Sequence, residues 1–228
     1  MQMTGDSSAA NTEQLAQARP LVERWLVWSG LAPLPLFLLL HLTLELRRAF
    51  ANDVSDVVRA ERGLLLTLAS ILLVWLPLSV HLVLGARRLL SGRETANIAE
   101  PDVPASTRTL SRISAVVAGV FVLYHARNYT LAVWLHEADA RDAGFRLIAE
   151  VSSTRFGAPI AGGAYLFGLL ATATHTGLAI HRALLTQGFL RTPAQRSASA
   201  RACAAFAALV FVSGAAAVIR VASGVLLR

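Results

Sequence analysis

Of the six histidines in this 228-residue sequence, four lie inside separate apolar stretches: His41, His81, His125 and His175. An ionisable side chain is costly in so apolar a setting and is kept where it faces a partner. Imidazole nitrogen is a good axial donor to iron, and two imidazoles from facing helices hold a low-spin b-type haem inside a helical bundle. Arginines follow the histidines at a fixed interval. Arg48, Arg88 and Arg182 come seven residues after His41, His81 and His175. Seven residues return to nearly the same helix face about 10 Å further along. A guanidinium there is placed to pair with a haem propionate. Arg127, two residues after His125 in HARNY, and Arg47 and Arg87 are further partners of the same kind. Singly, each histidine could instead bond a carbonyl on a neighbouring helix, and arginines flank membrane helices in any case.

The elements that must carry these residues follow from composition. With 55% hydrophobic and 15% charged residues and a mean hydropathy of +0.54, the chain is too apolar for an ordinary soluble domain or for disorder. The apolar residues gather into five stretches, each long enough to cross a hydrocarbon core about 30 Å thick. The expected fold is an all-α integral membrane protein, a bundle of five transmembrane helices with two haems between them. The spans are expected near 25–46, 64–86, 113–135, 159–182 and 204–227, so that 1–20 form a polar tail and 21–228 a five-helix di-haem membrane domain. Pro33 and Pro35 should bend the first span, because each removes a helical hydrogen bond. Pro77 stands one turn before His81, and Pro159 suits the first turn of the fourth helix.

Charge sets an expected orientation. Eleven arginines fall in the tail, second loop and fourth loop, against eight in the other loops and the last residues. The excess predicts a cytoplasmic amino terminus and an external carboxyl terminus. His41 and His125 then share the outer half of the bilayer, about 24 Å and 18 Å from the cytoplasmic starts of their helices. His81 and His175, each about 24 Å from an outer start, share the inner half. The pairing by depth is therefore His41 with His125, and His81 with His175.

Several classes of function are excluded or disfavoured. Nucleic acid is not an expected partner: the +7 net charge comes from 21 arginines without a lysine, and in a membrane protein such charge orients the chain and meets lipid headgroups. The single Cys203 cannot form an internal disulfide, ligate an iron–sulfur cluster or make the C-x-x-C-H attachment of covalent haem. A bare metal ion would need three or four converging ligands, and the spans supply no carboxylate at the two histidine depths.

With five helices and one histidine on each of the first four, the chain resembles the single-subunit, di-haem cytochrome b anchors of succinate:quinone oxidoreductases and the related fumarate reductases. The most specific local piece is THTGLAIHRALL, in which His175 is followed by small residues and Arg182. The resemblance implies that His41 and His125 bind the iron of a distal haem b, and His81 and His175 that of a proximal haem b. It also implies an iron–sulfur subunit and a flavoprotein on the cytoplasmic face, in a bacterial inner membrane. Electrons would pass between the iron–sulfur subunit and a membrane quinone, menaquinone or ubiquinone, and a higher oligomer of the complex is one assembly left open. The dicarboxylate site would lie on the flavoprotein, and the direction, succinate oxidation or fumarate reduction, stays open.

Some positions depart from that pattern. Ala173 stands where certain fumarate reductases carry a glutamate of a proposed proton route. For a quinone proton acceptor near the start of the second helix, Glu61 is the choice, with Asp53 and Asp56 nearby. Gly168 and Ala118, seven residues before His175 and His125, would make room for a porphyrin or pack helices. Arg220 would meet a propionate or a quinone oxygen, or snorkel outward, while His136 and His181, near helix ends, read as wetted surface imidazoles. Two other readings are another quinone-linked cytochrome b anchor, of nitrate reductase or hydrogenase type, and a non-redox transporter using the histidines for proton transfer. The first commonly puts two ligands on one helix, whereas His175 and His181 are about 120° out of phase. The second favours inverted repeats, into which five helices do not divide.

Overall fold

The computed structural model describes residues 21–31, 33–50, 68–90, 104–135 and 140–223. Among them every regular element is helical, with only an isolated bridge between Arg155 and Ala158 outside the helices. The first span, Trp25–Arg47, is seen as α1 (Leu21–Leu31) and α2 (Pro33–Ala49), on either side of residue 32, which lies outside the described residues. α1 lies against the second span, whereas α2 lies against the last helix.

The second span, Leu68–Leu90, passes through a π-helical turn, Ile71–Trp75, into α3 (Leu76–Leu90). Pro77 has no N–H to offer the carbonyl four residues back, that of Leu73, so the wider turn falls where the α ladder is already interrupted. The third span is α4 (Ala105–His125), which passes directly after its histidine into a second π turn, Ala126–Leu131, and ends in the single turn Ala132–Trp134. There follow α5 (Ala140–Ser152), α6 (Ile160–Thr186) and α7 (Pro193–Ala222). Among the described residues, five helical stretches are long and apolar enough to cross a membrane: Trp25–Arg47, Leu68–Leu90, Ala105–Trp134, Ile160–Thr186 and Pro193–Ala222.

Two starts differ from those expected. The third helix begins at Ala105 rather than near 113, and the fifth at Pro193 rather than near 204. Hydropathy marks where greasy residues begin, but the helical ladder continues through any residues that keep helical dihedrals, here ASTRTLSR and PAQRSASARAC. The start of α7 is fixed by a capping box: Thr192 accepts from the Gln195 backbone N–H at 3.2 Å, and the Gln195 side chain accepts from the Thr192 N–H at 3.0 Å. Pro193 occupies the first helical position, where its missing N–H costs nothing.

Large apolar side chains point outward along every span, among them Leu36, Val83, Val120, Phe167 and Leu209, each more than half exposed. Contiguous apolar surface of this kind suits lipid rather than water. The interior centres on α6, which packs against α4, α5 and α7 and touches α1. Its Leu169 and Ala173 meet Leu42 of α2 and Val210 of α7, surrounded by Leu38, Leu39, Phe206, Ala207 and Phe211. Close approach depends on Gly177, where an added Cβ would lie 2.8 Å from the Cys203 carbonyl oxygen and 3.0 Å from Ala207 Cβ. Small residues at such a crossing let helix backbones come together where no hydrophobic force separates lipid from protein.

Candidate functional site

The four histidines of the apolar helices meet as two pairs. The His41 and His125 rings, from α2 and α4, have centroids 6.0 Å apart at 63°. Those of His81 and His175, from α3 and α6, are 6.3 Å apart at 58°. Each pair joins alternate spans, at opposite halves of the bundle because successive spans run in opposite directions.

These spacings fit a metal held between two imidazoles. With metal–nitrogen bonds of about 2.0 Å, and about 1.15 Å from nitrogen to ring centre, two coaxial imidazole ligands have centroids about 6.3 Å apart. Haem asks only two donors of the protein, since the porphyrin supplies the other four. Among the described residues no three His, Cys, Asp or Glu side chains converge as a bare ion would need. The ring environments agree with ligation. His125 Nδ1 is buried without a hydrogen-bond partner, a state that calls for one.

His81 is oriented by its surroundings. Its Nδ1 lies 3.1 Å from the Leu26 carbonyl of α1. The tautomer that donates there leaves the Nε2 lone pair as the ligating position, the usual arrangement of a metal-binding imidazole. Gly30 makes this contact reachable, because a Cβ on it would lie 2.6 Å from His81 Cε1 and 2.7 Å from Nδ1. His41 is set differently, stacked on Phe37 at 5.4 Å with Nδ1 3.9 Å from a Glu45 carboxylate oxygen one turn on.

His125 sits among aromatic rings. Phe121 stacks on it at 6.0 Å, Tyr129 lies 5.1 Å away, and Tyr165 meets it edge-on at 6.0 Å. Gly168 faces Phe121, whose ring a Cβ there would strike, so its small size seats that ring; Ala118 is buried. Beyond His125 the Tyr124 and Tyr129 hydroxyls both donate to Glu150 of α5, one to each carboxylate oxygen.

The arginines are less uniform. Arg182 is half-buried and reaches across to α4, where its Nη1 donates to Ser111 Oγ at 3.4 Å. Arg88 and Arg127 are exposed. Glu61, Asp53, Asp56 and His136 lie outside the described residues, as does the side chain of Arg48. Arg220 goes to the end of α2, where its Nε donates to the Ala49 carbonyl at 3.4 Å and its guanidinium lies 5.7 Å from the Phe50 ring centre. It supplies a donor to one of the carbonyls that a helix C-terminus leaves unpaired. His181 is not simply wetted: Nδ1 lies 3.0 Å from Ser199 Oγ and ties α6 to α7.

Gly30, Ser111 and the Glu150 cluster have no counterpart in a reading of histidine spacing. Glu45, four residues after His41, and the tyrosines bracketing His125 in YHARNY were visible as local spacings. Gly30 and Glu150 join only through the packing of distant segments. Comparison with family models, with curated proteins and with solved structures finds no match.

Proposed function

We propose that this chain is the membrane-anchor cytochrome b subunit of a succinate:quinone oxidoreductase. It passes electrons between an iron–sulfur subunit and membrane quinone, with two b haems held by His41 with His125 and by His81 with His175. The observation that carries this reading is the meeting of one histidine from each of four spans as two pairs, 6.0 Å and 6.3 Å between ring centres. Haem supplies the one-electron Fe(II)/Fe(III) chemistry when bound. The chain's residues then have separate tasks. Four imidazoles serve as axial donors; the Leu26 carbonyl and Glu45 orient two of them; Arg182 and Arg88 offer positive charge toward propionates near the His81–His175 pair. Arg48 and Arg127 do the same for the other pair. The apolar outer faces exclude water and keep the chain in a bacterial cytoplasmic membrane. In this reading the amino terminus is cytoplasmic, the carboxyl terminus is external, and the iron–sulfur and flavoprotein subunits cover the arginine-rich cytoplasmic face.

The test is haem content and its response to ligand removal. Membranes containing the chain should show reduced-minus-oxidised b-type bands, with about two haems per chain by extraction, as two bis-imidazole sites require. His81→Ala or His175→Ala should remove one spectral population, and His41→Ala or His125→Ala the other. A folded, colourless protein from haem-sufficient cells would refute the assignment, and co-purification of a flavoprotein and an iron–sulfur protein tests the complex.

A further inference from the structure

Arg47 stands six residues past His41, about 120° round the helix from it, and so off the face of α2 that meets His125. It lies on the side that packs against α7, where Thr43, Leu46, Arg47 and Phe50, with Ala216 of α7, line a groove of about 500 Å³. Positions 43, 46, 47 and 50 are three or four apart, so they form one stripe along α2. Apart from the exposed guanidinium this lining is apolar, since the Thr43 hydroxyl donates back to the Leu39 carbonyl at 2.8 Å. Arg220 stands four residues past Ala216, one turn further along nearly the same face of α7. Its Nε donates to the Ala49 carbonyl at 3.4 Å and its guanidinium lies 5.7 Å from the centre of the Phe50 ring. That bond uses one of five guanidinium donors. The groove therefore has an apolar length and, near the ends of α2 at Ala49 and of α7 at Ala222, two cations from different helices.

We infer that this groove between α2 and α7 binds a phospholipid with a net negative headgroup, its phosphate accepting from Arg47 and Arg220 and one acyl chain lying along Leu46, Phe50 and Ala216. The inference rests on the helices crossing a membrane and not on haem. A guanidinium fork matches phosphate oxygens, and the volume falls within the range of about 300–1,000 Å³ usual for small-molecule pockets. Arginines at helix ends ordinarily snorkel toward whatever headgroup is near. Arg220 is instead tied to the Ala49 carbonyl, so its charge is held in place and loses little freedom when an anion arrives. A neutral ligand would leave both charges unmatched, and a free phosphate would leave the apolar length uncovered. A zwitterionic lipid brings its own cation beside the phosphate, which the two arginines repel. The carboxylate of α2, Glu45, does not cancel the charge: it lies about 160° round the helix from Arg47, 3.9 Å from His41 Nδ1.

The experiment uses the full chain in phosphatidylcholine nanodiscs doped with a trace of lipid carrying a diazirine on one acyl chain, either phosphatidylglycerol or phosphatidylcholine. After illumination, mass spectrometry of the digested chain maps the labelled residues. The phosphatidylglycerol probe should label the 43–50 stripe and the neighbourhood of Ala216 about three- to tenfold more than the phosphatidylcholine probe, the range spanned by a part-exposed ion pair and a hydrogen bond between charged groups. Equal labelling by the two probes overturns the inference. Arg47→Gln combined with Arg220→Gln should abolish the preference, and a preference that survives in that variant overturns it as well. Ala216→Phe keeps both charges but fills the groove, and it should lower labelling of the stripe by the phosphatidylglycerol probe; unchanged labelling there speaks against the groove as the site. If the double variant does not fold, Arg47→Gln alone decides, since its side chain is exposed: the preference should fall by about half or more, and an unchanged ratio overturns the assignment. Replacing chloride by inorganic phosphate at constant ionic strength should leave the labelling as it was, whereas displacement of the probe would assign the arginines to a free anion and overturn the lipid site. Haem content is read separately, so a colourless chain that keeps this preference loses only the cytochrome reading, and a di-haem chain without the preference loses only this site.

Discussion

Replacing Gly30 by alanine adds one methyl group to α1, and its effect can be worked from distances. The new Cβ would lie 2.6 Å from His81 Cε1 and 2.7 Å from Nδ1, whereas non-bonded carbon atoms settle at about 3.5–4.0 Å. The imidazole must therefore retreat by about 1 Å. Its contact with the Leu26 carbonyl, now 3.1 Å, does not survive such a shift, and a hydrogen bond of this kind contributes about 0.5–1.5 kcal/mol. Overpacking adds about 1–3 kcal/mol. Against these stands the gain of alanine over glycine in a helix, roughly 0.8–1.0 kcal/mol. The balance is a loss of about 1–3 kcal/mol concentrated on His81, or about 5–150-fold in haem affinity at that pair. A 1 Å error also exceeds the roughly 0.2 Å within which ligand distances must fall. Haem extracted per chain and low-temperature difference spectra read the outcome. Gly30→Ala should retain the haem of His41 and His125 and lose or weaken that of His81 and His175. Two full haems with unshifted bands in Gly30→Ala would show that Gly30 does not seat His81, and the sole effect should then be a slightly more stable helix.

Further outcomes follow from other contacts. Arg182→Leu should lower the midpoint potential of one haem population and not the other, by roughly 30–60 mV for about 0.7–1.4 kcal/mol of lost charge interaction, a tenfold change being 59 mV for one electron; equal shifts in both populations would contradict the placement of Arg182 on the His175 side. Gly177→Val should push α6 from α7, since even a Cβ meets the Cys203 carbonyl at 2.8 Å; thermal aggregation in detergent should reveal about 1–3 kcal/mol of destabilisation, and an unchanged midpoint would contradict the close crossing.

Much of the fold could be read from the chain. Five apolar stretches of spanning length and the placing of one histidine on each of four helices are properties of local composition and helical rise. Depth along a helix is arithmetic, so the pairing His41 with His125 and His81 with His175 needed only alternating direction. Helix starts were less legible, because hydropathy sees greasy residues and not the hydrogen-bond ladder that carries α4 and α7 into polar sequence. The short helix α5 escaped notice because it is too short and too polar to register as a span.

What the tertiary structure alone decided is who touches whom across the bundle. α1 packs on the second span, and only through that packing do the Leu26 carbonyl and Gly30 come to His81. Glu150 gains meaning because α5 folds back to the π turn after His125 and places its carboxylate between two tyrosines. The histidines could be found from sequence because desolvating an ionisable group is costly whatever its neighbours, so their presence in apolar stretches is informative by itself. A glycine, a backbone carbonyl or a glutamate in a short polar helix carries no such penalty, and its role exists only once packing supplies the partner.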